Sequence, residues 1–247
     1  MQTYSTDGYV MLSDALPVHK LLPFANVDGI GNRTSIFVQG CDIRCRYCHN
    51  PETIMPYTHS QLRSITSILE EIEQYRPYIR GITVSGGEAT LYPQALIRLF
   101  SALHTMNLTC YIDTNGFFNL ERTKELIEHT DKFLFDVKSL TMQNSLCATD
   151  RKNNMENLDY LLKLNKVEEV RTVFLKDIMD AEAVVSAVSQ RIAPHTDVQY
   201  KMIRCHLRGI SSEYIPSLKG HIPSKADMQN YKQQAEALGV KNIILIY

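Results

Sequence analysis

The feature that most limits the fold is an alternation of two hydrophobic periods along nearly the whole chain. Short apolar runs of strand length precede segments whose apolar residues recur at helical spacing. Thr34–Gln39 reads as a strand, and Leu62, Ile65, Ile68, Leu69 and Ile72 mark an amphipathic helix. Strand Gly81–Val84 precedes helix Pro93–Met106, whose proline suits a first helical turn and whose Leu96, Leu99, Phe100 and Leu103 share a face. Strand Leu108–Ile112, a helix over Asn119–His129, strand Lys132–Phe135 and helix Asn154–Leu164 follow. Strand Glu169–Phe174, helix Asp180–Ile192 and strand Val198–Ile203 continue the series. It closes with a helix carrying Met228, Tyr231, Ala235 and Leu238, stopped by Gly239, and strand Asn242–Ile246. Strand and helix thus alternate about six times with short connections, which requires parallel strands and right-handed crossovers.

Polar clusters follow these strands: Cys41 to His49, Ser85 to Glu88, Asp113 to Gly116, Asp136 to Lys138, and Arg204 to His206. In parallel α/β sheets and barrels the carboxyl edge is where sites are built, so residues distant in sequence are expected on one rim. Gly29-Ile30-Gly31 looks like a nucleotide loop, but it precedes a strand instead of following one. A tight turn beside the first cysteine cluster is the expectation for it.

That cluster is the most informative stretch. Gly40-Cys41-Asp42-Ile43-Arg44-Cys45-Arg46-Tyr47-Cys48-His49-Asn50 holds three of the six cysteines, spaced C-x₃-C-x₂-C. Three thiolates on one loop can hold three corners of a cubane iron–sulfur cluster, where an electron carrier supplies four. The iron left open can bind a substrate. A zinc site using His49 as its fourth ligand competes with this reading, although His49 directly follows Cys48 and adjacent residues rarely reach one tetrahedral ion. A disulfide framework fits less well. Six cysteines in 247 residues is sparse, and Cys110, Cys147 and Cys205 are scattered, each reading as a small buried hydrophobe.

The spacing, with Tyr47 before the last cysteine, resembles the signature of the radical S-adenosylmethionine (SAM) superfamily. The resemblance implies an α/β fold, a partial (β/α)6 TIM-type barrel of parallel strands. It also implies a [4Fe–4S] cluster on Cys41, Cys45 and Cys48, the catalytic centre, with Tyr47 and His49 in the cofactor site. SAM would chelate the open iron and, on reduction, break at C5′–S to give a 5′-deoxyadenosyl radical. Ser85-Gly86-Gly87-Glu88 resembles the family's GGE motif, where glycines admit the methionine amino group to the backbone and Glu88 adds an acceptor. By itself that stretch reads equally as a glycine-rich turn with a surface glutamate.

Asp113-Thr114-Asn115-Gly116 and Asp136-Val137-Lys138 are similar to motifs of one subgroup, the glycyl radical enzyme activating enzymes, which include pyruvate formate-lyase activase. By that resemblance Asp113, Asp136 and nearby carbonyls, Thr114 among them, hold a monovalent cation beside the SAM carboxylate, which Lys138 contacts. Without it, Lys138 reads as an exposed strand-end lysine and Asp136 as a cap. Arg171 and His206 match an arginine and a histidine that lie near SAM in the subgroup, and Val27-Asp28-Gly29-Ile30-Gly31-Asn32-Arg33 matches its VDGxGxR opening. The wording around Gly81–Thr90 is nearest the YjjW-type activases. Two departures stand out: no cysteine lies between Asn50 and Ile82, so a ferredoxin-like insert is missing, and Leu175-Lys176-Asp177 replaces Val-Pro-Gly.

The activity implied is abstraction of a glycine Cα hydrogen from a partner glycyl radical enzyme, with flavodoxin or ferredoxin as reductant and the activase a monomer. A radical SAM enzyme acting on a small molecule, like a deazaguanine synthase, is the alternative within the superfamily, and the two aspartate motifs argue against it. A non-catalytic iron–sulfur or zinc module would need a fourth ligand. A net charge of −1 gives no electrostatic case for nucleic acid or an anionic membrane. No apolar run approaches the ~18 residues of a membrane span, and Met1–Leu22 is too polar for a signal peptide, so a cytoplasmic location is expected. Residues 1–20 read as an N-terminal extension and 21–247 as one radical SAM domain.

Overall fold

The computed structural model describes residues 13–56, 61–141, 143–149 and 154–247; the first twelve residues of the expected extension lie outside the described residues. The chain divides into two compact units. Among the described residues, one comprises the stretches within 13–42, 52–114 and 118–134; the other those within 43–51, 115–117 and 135–247.

The first unit contains strands β1 (Ala15–Ala25), β2 (Arg33–Val38), β3 (Gln61–Ser64), β4 (Gly81–Gly86) and β5 (Thr109–Thr114), and the start of β6 (Lys132–Asp136). Their order is β3-β1-β2-β4-β5-β6. Pairs β2–β4 and β4–β5 are parallel, as the alternation requires. Helices α1 (Ile65–Tyr75), α2 (Pro93–Thr105) and α3 (Leu120–His129) connect them. Their apolar faces bury Ile68, Ile72, Leu96, Leu99, Phe100, Leu103 and Leu126, and the strand residues Ile36, Val38, Ile82, Val84 and Ile112 are buried as well.

Three local expectations are corrected. Residues 15–20, expected in an extension, belong to β1, which pairs antiparallel with β2 and β3. Pro17 and Pro23 hid this strand, because proline demotes an apolar run. Leu62 is not on the helical face: it lies in β3 and is 61% exposed. Its three-residue step to Ile65 imitates a helical period, but Ser64 begins the helix by accepting from Ser67 N at 3.1 Å.

The turn at Gly29 and Gly31 (φ +104° and +80°) is not beside the cysteine loop. It precedes β2, packed against Tyr111 and Arg80, whereas Cys41 follows that strand. Six residues of strand, roughly 20 Å, separate the two. Arg33 anchors this amino edge. It is 1% exposed and donates to Thr83 Oγ1 (2.9 Å), Thr109 Oγ1 (3.0 Å), Ile82 O (2.6 Å) and Thr109 O (2.9 Å), with its guanidinium 3.6 Å from the Tyr111 ring centroid. Arg33→Ala strips charge-assisted bonds that join β2 to two neighbouring strands, β4 and β5, and we expect a loss of about 3 kcal/mol, a Tm drop of roughly 6–12 °C in thermal denaturation.

The second unit completes β6 and adds α4 (Gln143–Cys147), α5 (Met155–Lys163), β7 (Val167–Phe174), α6 (Ala181–Ile192), β8 (Gln199–Arg204), α7 (Lys225–Ala237) and β9 (Ile243–Ile246). The order is β6-β7-β8-β9, with β7–β8 and β8–β9 parallel. A capping box of Ser224 and Asp227 starts α7, and Gly239 (φ +95°) follows its end. Val170, Phe174, Tyr200, Met202, Leu161 and Val184 are fully buried, and Phe174 stacks on Tyr231 at 4.8 Å. Cys110 and Cys205 are buried as expected; burial pushes the Cys205 thiol up to about 11. Among the described residues, no helix is long and apolar enough to cross a membrane.

Candidate active site

Several candidate residues occupy the last positions of strands: Ser85 and Gly86 end β4, Asp113 and Thr114 end β5, and Asp136 ends β6. The first unit carries Cys41, Ser85 to Glu88, Asp113 and Thr114; the second carries Cys45, Tyr47, Cys48, His49, Asp136, Lys138, Arg171 and His206.

In the first unit, main-chain bonds tie the start of the cysteine loop to the glycine pair. Gly40 N donates to Thr53 O (2.7 Å), Cys41 N to Ile54 O (3.0 Å), Gly87 N to Val38 O (2.9 Å) and Glu88 N to Gly40 O (2.8 Å). A Cβ on Gly87 would lie 2.0 Å from the Gly40 carbonyl oxygen, so only glycine permits this approach. Gly87→Ala must push the strap away from the residue before Cys41; we expect cluster content and SAM cleavage both to fall roughly tenfold or more, measured on the anaerobically reconstituted protein.

Glu88 is no surface glutamate. It is 1% exposed, and its Oε1 accepts from Thr90 N (3.1 Å), Thr90 Oγ1 (2.6 Å) and Thr114 Oγ1 (2.8 Å). The carboxylate thus joins the turn after β4 to the end of β5. Ser85 Oγ donates to Asp113 Oδ2 at 2.8 Å, linking the same two strands one position earlier.

In the second unit, Cys48 N donates to Cys45 O at 3.1 Å, a turn that draws two thiols together. The turn rests on α4: Arg44 N donates to Cys147 O (2.9 Å) and Arg46 N to Leu146 O (2.8 Å). Cys45 and Tyr47 are buried, whereas Cys41 and Cys48 are half-buried. The Tyr47 hydroxyl lies 3.8 Å from Cys147 Sγ. Burial, then the Cys147 and Cys45 thiols, holds that hydroxyl well above the usual tyrosine range, so it stays O–H. Cys147, read from sequence only as a small apolar residue, has its thiol pKa lowered, chiefly by the neighbouring Cys45 side chain and against the effect of burial. Its spacing from the trio gave no signal; only the fold of α4 brings it there.

Lys138 is not an exposed strand-end lysine. Its ammonium meets Asp136 Oδ2 at 2.5 Å with only 15% of the side chain exposed. Burial opposes its charge, but the Asp136 carboxylate, and behind it Cys45, outweigh burial and hold its pKa well above the lysine range. The two aspartates expected to hold a cation lie one in each unit, and each has a local partner, Ser85 for Asp113 and Lys138 for Asp136. Asn154 Nδ2 donates to Asp136 O at 2.9 Å, and Asn157 Nδ2 to Gly116 O at 2.8 Å, which fixes these strand-end loops.

Arg171 is 9% exposed and pairs with Glu169, which also meets Lys201 at 2.7 Å. Its carbonyl accepts from Val137 N at 2.9 Å, placing β7 beside the Asp136–Lys138 segment. His206 stacks on His49 with centroids 4.1 Å apart, and His49 Nε2 lies 3.1 Å from His206 O. Burial, assisted by the neighbouring His206 and Lys138, lowers the His49 pKa.

The Radical SAM superfamily profile matches residues 35–184. The chain belongs to the radical SAM superfamily. Membership implies a [4Fe–4S] cluster and SAM, and the donor set fits them: all six cysteines are free thiols, three of them on the one loop. A Haemophilus influenzae protein, provisionally named a glycyl-radical enzyme activating enzyme, is 43% identical over 94% of this chain and 97% of its own length. A pyruvate formate-lyase-activating enzyme of Streptococcus mutans is 31% identical over 75% of this chain and 76% of its own. The crystal structure of Escherichia coli QueE superposes with a TM-score of 0.56 at 14% identity, covering 99% of both chains, which is a likeness of fold. The parallel strands therefore form the partial barrel of a radical SAM enzyme.

Proposed function

We propose that this radical SAM enzyme activates a glycyl radical enzyme by abstracting a Cα hydrogen from one of its glycines. The observation that carries the reading is 43% identity, over nearly the full length of both chains, to a protein named for that activity. The aspartate–lysine pair after β6 supports it.

When bound, the [4Fe–4S] cluster and SAM supply one-electron cleavage of the C5′–S bond and a radical able to take hydrogen from carbon. Cys41, Cys45 and Cys48 hold the cluster, with Tyr47 packed beneath the loop. The main chain of Gly86 and Gly87 accepts the SAM amino group, and Glu88 acts on it by fixing that turn. Lys138 and Arg171 would supply positive charge to the SAM carboxylate, His49 and His206 would belong to the cofactor site, and Asp113, Thr114 and Asp136 would offer oxygens to a monovalent cation that offsets the crowded negative charge. The substrate is an extended loop of the partner protein. Glycine suits the reaction because its Cα radical is planar and delocalised over two peptide groups. Electrons arrive from a flavodoxin or ferredoxin in the cytoplasm, and a monomer suffices.

The test is isotopic. With SAM, dithionite and a partner glycyl radical enzyme carrying Cα-deuterated glycine, deuterium should appear in the 5′-deoxyadenosine released. Release of unlabelled 5′-deoxyadenosine with a small molecule consumed instead would overturn the reading in favour of a small-molecule enzyme. No release of 5′-deoxyadenosine would favour a binding module.

A further inference from the structure

We propose that His104, Cys110 and Asp131 form a zinc site at the amino edge of the sheet, a structural staple separate from the cofactor site. The inference does not depend on the reaction proposed above.

Three elements of the first unit bring the donors together: His104 lies in the last turn of α2, Cys110 is the second residue of β5, and Asp131 directly precedes β6. One ligand atom of each, the Cys110 sulfur included, lies within 4.8 Å of the other two. Ligand atoms around a tetrahedral zinc stand about 3–4 Å apart, with Zn–S near ~2.3 Å and Zn–N or Zn–O near ~2.0 Å. Side-chain shifts of about 1 Å therefore close the trio on an ion.

The main chain already holds these residues in place. Asn107, in the left-handed region (φ +60°), turns the chain out of α2. Asn107 N donates to His104 O (3.0 Å) and Leu108 N to Leu103 O (3.1 Å), which fixes the helix end against the start of β5. Asp131 is tied to Cys110 twice: Asp131 N donates to Cys110 O (2.9 Å), and Cys110 N donates to Asp131 Oδ2 (2.6 Å). The C-terminal end of α2 carries the negative end of the helix dipole, which favours a cation there.

A bare ion pair accounts for only two of the three residues. His104 Nε2 meets Asp131 Oδ2 at 3.0 Å, with the two side chains 37% and 39% exposed, and such a surface pair contributes little by itself. The fully buried Cys110 behind it adds a soft donor. Imidazole, thiolate and carboxylate together suit zinc, whereas magnesium and calcium take oxygen ligands. Three protein ligands leave the fourth position for water on the exposed side. On binding, the S–Zn bond replaces the Cys110 S–H bond and the proton leaves to solvent. Cys110 lies three residues before Asp113, roughly 10 Å along β5, so the ion joins α2, β5 and β6 and takes no part in chemistry at the carboxyl edge.

The experiment uses the full chain with its cluster reconstituted anaerobically, incubated with one equivalent of zinc and desalted. Iron and zinc are counted on each sample, and zinc K-edge X-ray absorption reads the ligands. We expect about four irons plus about one zinc, the zinc having a single sulfur neighbour and the rest nitrogen or oxygen. Zinc in place of iron, with three sulfur neighbours, marks metal on the cysteine loop and overturns the proposal, as does no zinc retained. His104→Ala should keep parental iron and SAM cleavage and weaken zinc binding roughly tenfold or more, measured by chelator competition. Cys110→Ala should remove the sulfur neighbour. If Cys110→Ala fails to fold, His104→Ala and Asp131→Asn decide: weakened zinc binding in both upholds the site, and parental affinity in either overturns it.

Discussion

Replacement of Cys41, Cys45 or Cys48 by Ala should abolish SAM cleavage and remove the cluster, whereas Cys110→Ala and Cys205→Ala should keep both. The difference follows from placement. The trio shares one loop whose turns are made by Gly40, Cys41 and Cys48 main-chain donors. Cys110 and Cys205 are buried in strands or just after them, with thiols pushed above the ordinary range by burial. Outer-shell substitutions cost metal sites about 100-fold at most, so loss of a direct ligand should exceed ~100-fold in turnover. Anaerobic iron and sulfide analysis of the parent should give about four irons per chain. Eight irons, or zinc in place of the iron, would contradict the assignment.

Asp136→Ala should weaken SAM binding far more than cluster assembly. Its carboxylate balances the largely buried Lys138 ammonium at 2.5 Å, and its main chain is already fixed by Asn154. Removing the carboxylate leaves a cation in a low-dielectric pocket, where losing one partner of a buried pair costs about 2–5 kcal/mol. Most of that cost should fall on the ligand whose carboxylate Lys138 orients. SAM affinity should therefore drop by roughly 30-fold or more, measured anaerobically by equilibrium binding. Asp136→Asn, which keeps the shape without the charge, should fall between. Unchanged affinity in Asp136→Ala would remove both the cation and the lysine from the cofactor site.

Most of the parallel framework was legible because each strand–helix unit carries its own period and its own punctuation. Asn119 capping α3, Pro93 opening α2 and Gly239 beyond α7 stand where residue chemistry puts them. What escaped is what depends on pairing between distant segments. β1 carries two prolines and was hidden until β2 and β3 flanked it. The Gly29–Gly31 turn was assigned to the wrong end of β2, because glycines show that a chain turns but not which edge the turn occupies. At the site, residue types were readable but their neighbours were not. The sequence assigned Glu88 and Lys138 to the cofactor site but could not show that Thr90 and Thr114 surround the one carboxylate or that Asp136 meets the other's ammonium. Cys147 carried no signal at all, since nothing in its spacing from Cys45 anticipates that α4 docks beneath the loop.

The central claim is that the hydrogen abstracted belongs to a glycine of another protein. The most direct measurement is the EPR spectrum of the chain mixed anaerobically with SAM, a flavodoxin-type reductant and its cognate glycyl radical enzyme. The account predicts a stable doublet that appears only with all components, grows as SAM is consumed, and loses its main splitting when the glycine Cα carries deuterium. SAM consumption with no protein-centred signal from the partner, or a doublet indifferent to deuterium at that carbon, would contradict it.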